Sequence, residues 1–345
     1  MIIAGSLLII ILCVYALSVL TEDFFVPALD QISARLNLPA SVAGASLMAM
    51  GSSAPELAIA LFSLFRDGGE HADLGIGTIV GSAVFNILVI TGASALVRPA
   101  EIKFRVVMRD ASVYLAAIGL LLWSFRDGQI DIVEASTFLA AYLGYLLLLF
   151  FLKLETREEK HELVEAAAEA VAKGGVFGVL PTVLRKIIGD PEEHFIRAFV
   201  FSIVVVGAIC WVLVDAAVAF SDAVGIPPVL VALTLIAGGT SVPDLISSIV
   251  ASRQGRGDMA VANAVGSNIF DILIGCGLPW LIALVALGRE VHVGVDGLWK
   301  STVMLLGTVL LLAVFLFTGR KLSRIEGAIL LAVYAAFCVY TFLQS

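Results

Sequence analysis

One six-residue phrase occurs twice in this chain, both times inside an apolar stretch. Gly51-Ser52-Ser53-Ala54-Pro55-Glu56 returns as Gly239-Thr240-Ser241-Val242-Pro243-Asp244. A second phrase follows each copy: Gly81-Ser82-Ala83-Val84-Phe85-Asn86, then Gly266-Ser267-Asn268-Ile269-Phe270-Asp271. A chain that repeats the same two phrases in the same order is a duplication. Its fold must bring two equivalent halves together, and ionisable residues at the meeting point of repeats mark a functional site.

The surroundings of the phrases decide the solvent. The chain is 60% hydrophobic and 14% charged, with mean hydropathy +1.04; a soluble domain is roughly a quarter charged. At about 20 apolar residues per crossing, spans are expected at 2–20, 38–65, 74–97, 111–125, 132–152, 198–220, 228–252, 259–287, 299–318 and 325–343. They are numbered 1 to 10 here. The first copies of the phrases fall in spans 2 and 3, the second copies in spans 7 and 8. The offset of five is odd, so the second half enters the membrane from the opposite face. The expected fold is an all-α integral membrane protein of ten transmembrane helices in two inverted five-helix repeats, residues 1–152 and 198–345, with spans 2 and 7 broken. Met1-Ile2-Ile3 lacks a basic region before the first apolar run, so that run reads as the first span rather than a cleaved leader.

Lys and Arg orient the chain. With the N-terminus outside, the inner connections hold Arg35, Arg98, Lys103, Arg105, Arg109, Arg253, Arg256, Arg320, Lys321 and Arg324. The outer ones hold Arg66, Arg126, Arg289 and Lys300. The linker 153–197 adds seven more basic residues to the inner side. Both termini are therefore expected outside a plasma or inner membrane, with the linker in the cytoplasm. Within the linker, 154–173 reads as a partly amphipathic helix, Gly174, Gly175 and Pro181 break it, and 176–188 reads as a solvated connector rather than a surface helix.

Several functions are excluded. A formal net charge of −8 offers no basic patch for nucleic acid. Cys13, Cys210, Cys276 and Cys338 sit in apolar runs without metal-ligand spacing and read as small buried hydrophobes. His71, His161, His194 and His292 fall in connections, and no HExxH pattern exists.

The repeated phrases carry hard-cation chemistry. Pro243 has no N–H, so the carbonyl of Gly239 loses its helical partner; Pro55 does the same to Gly51. Each break presents a free carbonyl, hydroxyls (Ser52, Ser53; Thr240, Ser241) and a carboxylate (Glu56; Asp244). In the second phrase Ser82 and Asn86 share one helix face, as do Ser267 and Asp271, and Gly81 and Gly266 should permit close helix approach. An all-oxygen set suits Na⁺, K⁺ or Ca²⁺ rather than zinc or copper. The three charges of Glu56, Asp244 and Asp271 balance one Ca²⁺ plus one monovalent cation, or three monovalent cations. One proline kink is usually structural; two, each followed by a carboxylate, are not. Asp215 in span 6 lacks such a counterpart and reads as a helix-end or cavity residue.

At these residues the chain resembles the calcium/cation antiporter superfamily, the sodium/calcium exchangers. The likeness covers 48–92 and 237–280. It looks closest to the potassium-dependent branch, through Ser241-Val242-Pro243-Asp244, the run 251–263 and the run 266–280. The resemblance implies ten helices with ions at the centre and Glu56 and Asp244 as the Ca²⁺ carboxylates. It further implies Ser52, Ser53, Ser82, Thr240, Ser241 and Ser267 as oxygens for Na⁺, with Asn86 and Asp271 as the paired positions of spans 3 and 8. In the potassium-dependent branch Asp at position 271 goes with K⁺ co-transport, but some microbial relatives carry it without, so K⁺ coupling stays open. The short linker departs from the long regulatory loop of animal members and looks like a compact prokaryotic form. Ser52 stands where Thr is commoner. Ca²⁺ and Na⁺ are then cargo, with K⁺ left open as a third, no cofactor is expected, and the transport unit is expected to be a monomer.

Two other readings compete. A proton/calcium antiporter of the same superfamily carries a G-N-x-x-E pattern that these phrases lack. An intramembrane aspartyl protease would use Gly255-Arg256-Gly257-Asp258, but Asp258 lies at a connection and the chain has no Tyr-Asp partner for it.

Overall fold

Lipid offers a backbone N–H or C=O no partner, so each apolar run must satisfy its own as helix. The computed structural model describes residues 2–38, 40–65, 71–101, 104–152, 179–191, 193–255, 257–319 and 321–343. Among these, eight helices are long and apolar enough to cross a membrane: Ile2–Arg35, Ala72–Val97, Val107–Ser124, Ile132–Phe151, Phe195–Val224, Ala260–Ala286, Gly297–Phe317 and Arg324–Leu343. Two further crossings are bent pairs, Ser46–Ser52 with Ala54–Phe65 at 68° and Pro228–Thr240 with Val242–Arg253 at 45°. The protein is a multi-pass helical membrane protein, and its breaks fall in spans 2 and 7 as the prolines require.

Span 1 departs from expectation. The helix does not stop at residue 20 but runs on to Arg35 through a π-helical turn, Thr21–Phe25. That turn lies just ahead of Pro27, whose ring crowds the carbonyl of Asp23 four residues earlier. Spans 2 and 7 carry matched π turns, Gly44–Met48 and Ala232–Ile236, each ending five residues before the serine at its break. The backbone deformation is thus duplicated along with the sequence.

Spans 3 and 8 form the centre. In span 3, 94% of the most apolar window is buried, and in span 8, 61%, against at most 44% in the six other unbroken spans. Around them lie two large apolar cores, with a small third one of Phe85, Ile90 and Ala264. The larger joins spans 3, 4, 5, 8, 9 and 10, with Trp280 set edge-on to Phe138 at 5.2 Å. The second joins span 1 to span 6 and takes in Ile59 and Ile236 of the broken spans.

Two antiparallel clasps tie the repeats together outside the core. Ala100–Glu101 pairs with Lys321–Leu322, and Gln129–Ile130 with Val291–His292. The first clasp joins the 3–4 and 9–10 connections, the second the 4–5 and 8–9 connections. Counting ten crossings puts the members of each pair on one face, so the clasps agree with the inverted count. Asp73 Oδ1 adds to the second clasp by accepting the Gly294 N–H at 2.8 Å.

Residues 153–178 lie outside the described residues, and with them the expected helix 154–173. Beyond them, Val179–Ile188 is an amphipathic helix rather than a solvated connector. Ile188 is fully buried, and Leu184 packs on the core between spans 1 and 6.

Candidate functional site

The two breaks converge on the inner faces of spans 3 and 8. At the first, helical bonding skips from Ser53 N–H on Ala49 to Leu57 N–H on Ser53; at the second, from Ser241 on Ala237 to Leu245 on Ser241. The prolines at 55 and 243 leave the carbonyls of Gly51 and Gly239 without a helical donor. Ser53 and Ser241 sit at the corners, with φ/ψ of −99°/11° and −87°/0°, the sparsely populated bridge region typical of functional turns.

The side chains at the convergence pair across the repeats. Ser82 Oγ and Ser241 Oγ lie 2.9 Å apart. Asn86 Nδ2 donates to Asn268 Oδ1 at 2.9 Å and lies 3.5 Å from Ser267 Oγ. The Thr240 hydroxyl lies against the Glu56 carboxyl, and the Ser53 hydroxyl against that of Asp271. In each case one partner comes from the first repeat and one from the second. Ser53, Glu56, Ser82, Asn86, Thr240, Ser241, Ser267 and Asp271 are all buried.

Three oxygens in this cluster have no hydrogen-bond donor: Glu56 Oε2, Asn86 Oδ1 and Asp271 Oδ1. The charge of Asp244 acts on both Glu56 and Asp271, and that of Glu56 acts on Asp271. Uncompensated carboxylates out of water cost several kcal/mol each. Buried acceptors without donors are what a cation would satisfy. Among the described residues no three acidic, histidine or cysteine side chains close into one compact metal cluster. The acids are instead interleaved with hydroxyls and a carboxamide, a dispersed set of oxygens suited to more than one ion.

Asp244 and Ser52 stand slightly apart from the buried cluster. Both line a cleft between span 1 and the breaks, together with Thr240, Pro55 and Pro243. Ser52 Oγ donates within its own turn to Ala49 O at 3.2 Å, and Asn263 Nδ2 reaches Asp244 Oδ1 at 3.4 Å. The repeats are covered unequally here. Pro55 is buried under span 6, with Cys210 Sγ 3.7 Å from its carbonyl, whereas Pro243 and Asp244 are half-buried.

Other expectations are revised. A Cβ at Gly81 would overlap the Leu233 backbone, so close approach is real there; at Gly266 it would meet open space. The contact expected of Gly266 is not made. Asp215 lies inside the helix Phe195–Val224, not at its end. Asp258 keeps its expected place, at the connection, in the first turn of the helix Gly257–Leu273.

Sequence reasoning missed Asn268 and Glu22. Asn268 Nδ2 donates to Ala83 O at 3.2 Å and lies 3.0 Å from Tyr114 Oη. Ala83 is the residue that takes Asn268's place in the first copy of the phrase, so Asn268 touches its own repeat mate and must lie near the pseudo-twofold axis. Glu22 lines the cleft beside Asp244; its signal is the run Thr21-Glu22-Asp23 adjoining an apolar span.

Two segments of the chain, residues 6–151 and 194–343, match the family model described as Sodium/calcium exchanger protein. The chain belongs to the sodium/calcium exchanger family. The two matched segments are the two repeats, each containing one break and one half of the paired side chains. The exchanger is 28% identical to human Sodium/potassium/calcium exchanger 5 over 406 residues, covering 95% of this chain and 80% of that one. It is 26% identical to human Sodium/potassium/calcium exchanger 4, covering 95% and 79%. Its fold matches that of the sodium-calcium exchanger NCX_Mj soaked with 10 mM Na⁺ and 10 mM Sr²⁺, with TM-score 0.58, 24% identity and 97% of each chain. It also matches the H⁺/Ca²⁺ exchanger CAX, with TM-score 0.68, 16% identity, 96% of this chain and 79% of that one. The protein is thus an exchanger-type secondary transporter, not an enzyme.

Proposed function

We propose that the protein exchanges Na⁺ for Ca²⁺ across the membrane by alternating access. The observation that carries this reading is the set of orphaned oxygens on Glu56, Asn86 and Asp271, held by side-chain pairs that cross the repeats. A cage built from both halves changes when either half tilts, which couples occupancy to the direction of opening. Glu56, Asp244 and Asp271 supply charge. Ser52, Ser53, Ser82, Thr240, Ser241 and Ser267 supply neutral oxygens, and Asn86 faces Asp271's half of the site. Na⁺ entering from one face displaces Ca²⁺, and the filled cage reorients because the empty one leaves its carboxylates uncompensated. The Lys and Arg distribution supports an inner or plasma membrane with both termini outside.

K⁺ co-transport is a second reading. Asp271, where the first repeat has Asn86, gives the cage a third negative charge, and the relatives named above are sodium/potassium/calcium exchangers. The fold likeness to a proton/calcium exchanger does not bear on the choice of driving ion, since the fold is common to both.

The test is Ca²⁺ uptake into proteoliposomes loaded with Na⁺, with and without external K⁺, and separately under an imposed pH gradient. Uptake driven by the Na⁺ gradient supports the proposal, and uptake driven by the pH gradient alone refutes it. K⁺ stimulation that disappears in Asp271→Asn supports the second reading.

A further inference from the structure

The cleft beside span 1 contains a carboxylate that the cage does not use. Its polar lining is Ser18, Thr21, Glu22, Ser52, Thr240 and Asp244. Glu22 is placed there by the π turn Thr21–Phe25, and the charges set against it are those of Asp244 and Asp23. Asp23 in turn faces Arg185 of the helix Val179–Ile188. Thr21 is 4% exposed, and its Oγ1 has no hydrogen-bond partner. A buried, unpartnered hydroxyl beside two carboxylates is an acceptor set awaiting a cation. The cleft has room for about one water-sized body, enough for an ion stripped of most of its hydration shell.

Among the described residues the second repeat offers no equivalent. Glu22 and Cys210 each stand 34 residues before the carboxylate of their own repeat. Cys210 Sγ lies 3.7 Å from the Pro55 carbonyl, under a covered break. A thiol, a poor ligand for hard cations, therefore takes the place that Glu22 holds on the open side.

We propose that Glu22 and Thr21, with Asp244, Thr240 and Ser52, form an additional site for one dehydrated alkali-metal cation, through which ions reach the cage from one side only. One charge beyond the three of the cage matches one monovalent ion. The inference rests on the exchange reading for its role in transport, but not for its occupancy.

The test uses the full chain. Tracer Na⁺ and tracer Rb⁺, the latter standing in for K⁺, are equilibrated with purified protein without Ca²⁺, and exchange is measured in proteoliposomes. Glu22→Gln should bind about one tracer ion fewer per chain and need about tenfold more monovalent cation for half-maximal exchange, the cost of one lost charged ligand. Its Ca²⁺ requirement should change less than about twofold. Thr21→Val, nearly isosteric, should show a smaller shift in the same sense, and Glu22→Asp should restore the tracer count. The arm that loses the ion identifies it as Na⁺ or K⁺. Unchanged counts in Glu22→Gln and Thr21→Val overturn the site. An equal rise in the Ca²⁺ requirement also overturns it, by making Glu22 part of the cage. A wild-type protein that does not exchange Ca²⁺ refutes the exchange reading instead, while the tracer count still decides the cleft.

Discussion

Ser82 of span 3 and Ser241 of span 7 hydrogen-bond to each other, Oγ to Oγ at 2.9 Å, across the boundary between the repeats. One hydroxyl donates and the other accepts, so loss of either partner changes how its mate presents lone pairs to a cation. Ser82→Ala and Ser241→Ala should each weaken half-maximal Na⁺ activation by about tenfold. The double variant should be little worse than either, with an interaction term of about 1 kcal/mol. Strictly additive losses in a double-mutant cycle would show that the two hydroxyls act separately.

The buried carboxylates predict opposite effects on stability and transport. Glu56→Gln and Asp271→Asn remove an uncompensated charge while keeping the shape, so the ion-free protein should unfold at an equal or higher temperature. Ca²⁺ stabilises the wild type through binding, by about 2.7 kcal/mol at a hundredfold excess over Kd. That ligand-induced shift should vanish in both variants, and exchange should fall by at least about a hundredfold. Thermal unfolding in detergent with and without Ca²⁺ reads both effects; a retained Ca²⁺ shift would remove the residue from the site.

Asn268 acts on the cage through other residues. Its amide joins Asn86, the Ala83 carbonyl and Tyr114. Asn268→Ala leaves these buried groups short of partners and should cost about 2–3 kcal/mol in stability. Tyr114→Phe, which removes one bond from the network, should cost about 1 kcal/mol. Equal unfolding temperatures for Asn268→Ala and the wild type would contradict the network.

The two glycines of the second phrase should behave differently despite their identical context in sequence. At Gly81 an added Cβ would lie 2.7 Å from Leu233 Cα, and backbone cannot step aside. Gly81→Ala should destabilise by about 3 kcal/mol or abolish folded expression. Gly266→Ala should stay within about 0.5 kcal/mol of the wild type. Size-exclusion profiles and unfolding midpoints separate the two.

Much of this could be read before any coordinates. Ten apolar runs, an odd offset between duplicated phrases and two prolines suffice to place ten spans, the inversion and both breaks, because lipid leaves the backbone so few choices. What escaped has physical causes. Span 1 outran its expected end because a hydropathy scan stops at Glu22 and Asp23, whereas helical hydrogen bonding does not stop at a charge. Asn268 escaped because its copy of the phrase holds Ala83, so the duplication that exposed the other residues hid this one. Gly266 misled for the opposite reason: like residues in both repeats suggested like contacts, but the structure is not symmetric at that point.

The clasps at the membrane faces have a mechanical consequence. They rivet the connections of spans 3, 4, 5, 8, 9 and 10 into one block, which also shares a single core. Spans 1 and 6 share the other core, and among the described residues no clasp strand adjoins either of them. The molecule is thus a stapled chassis with spans 1 and 6 resting against it, and we predict that this pair acts as a slider that carries Glu22 and Cys210 past the two breaks. We predict that a disulfide between cysteines at positions 129 and 292, which are register partners, leaves exchange intact, whereas one joining span 1 to span 7 arrests it. If the 129–292 link stops transport, the chassis itself flexes, and the slider is not the moving part.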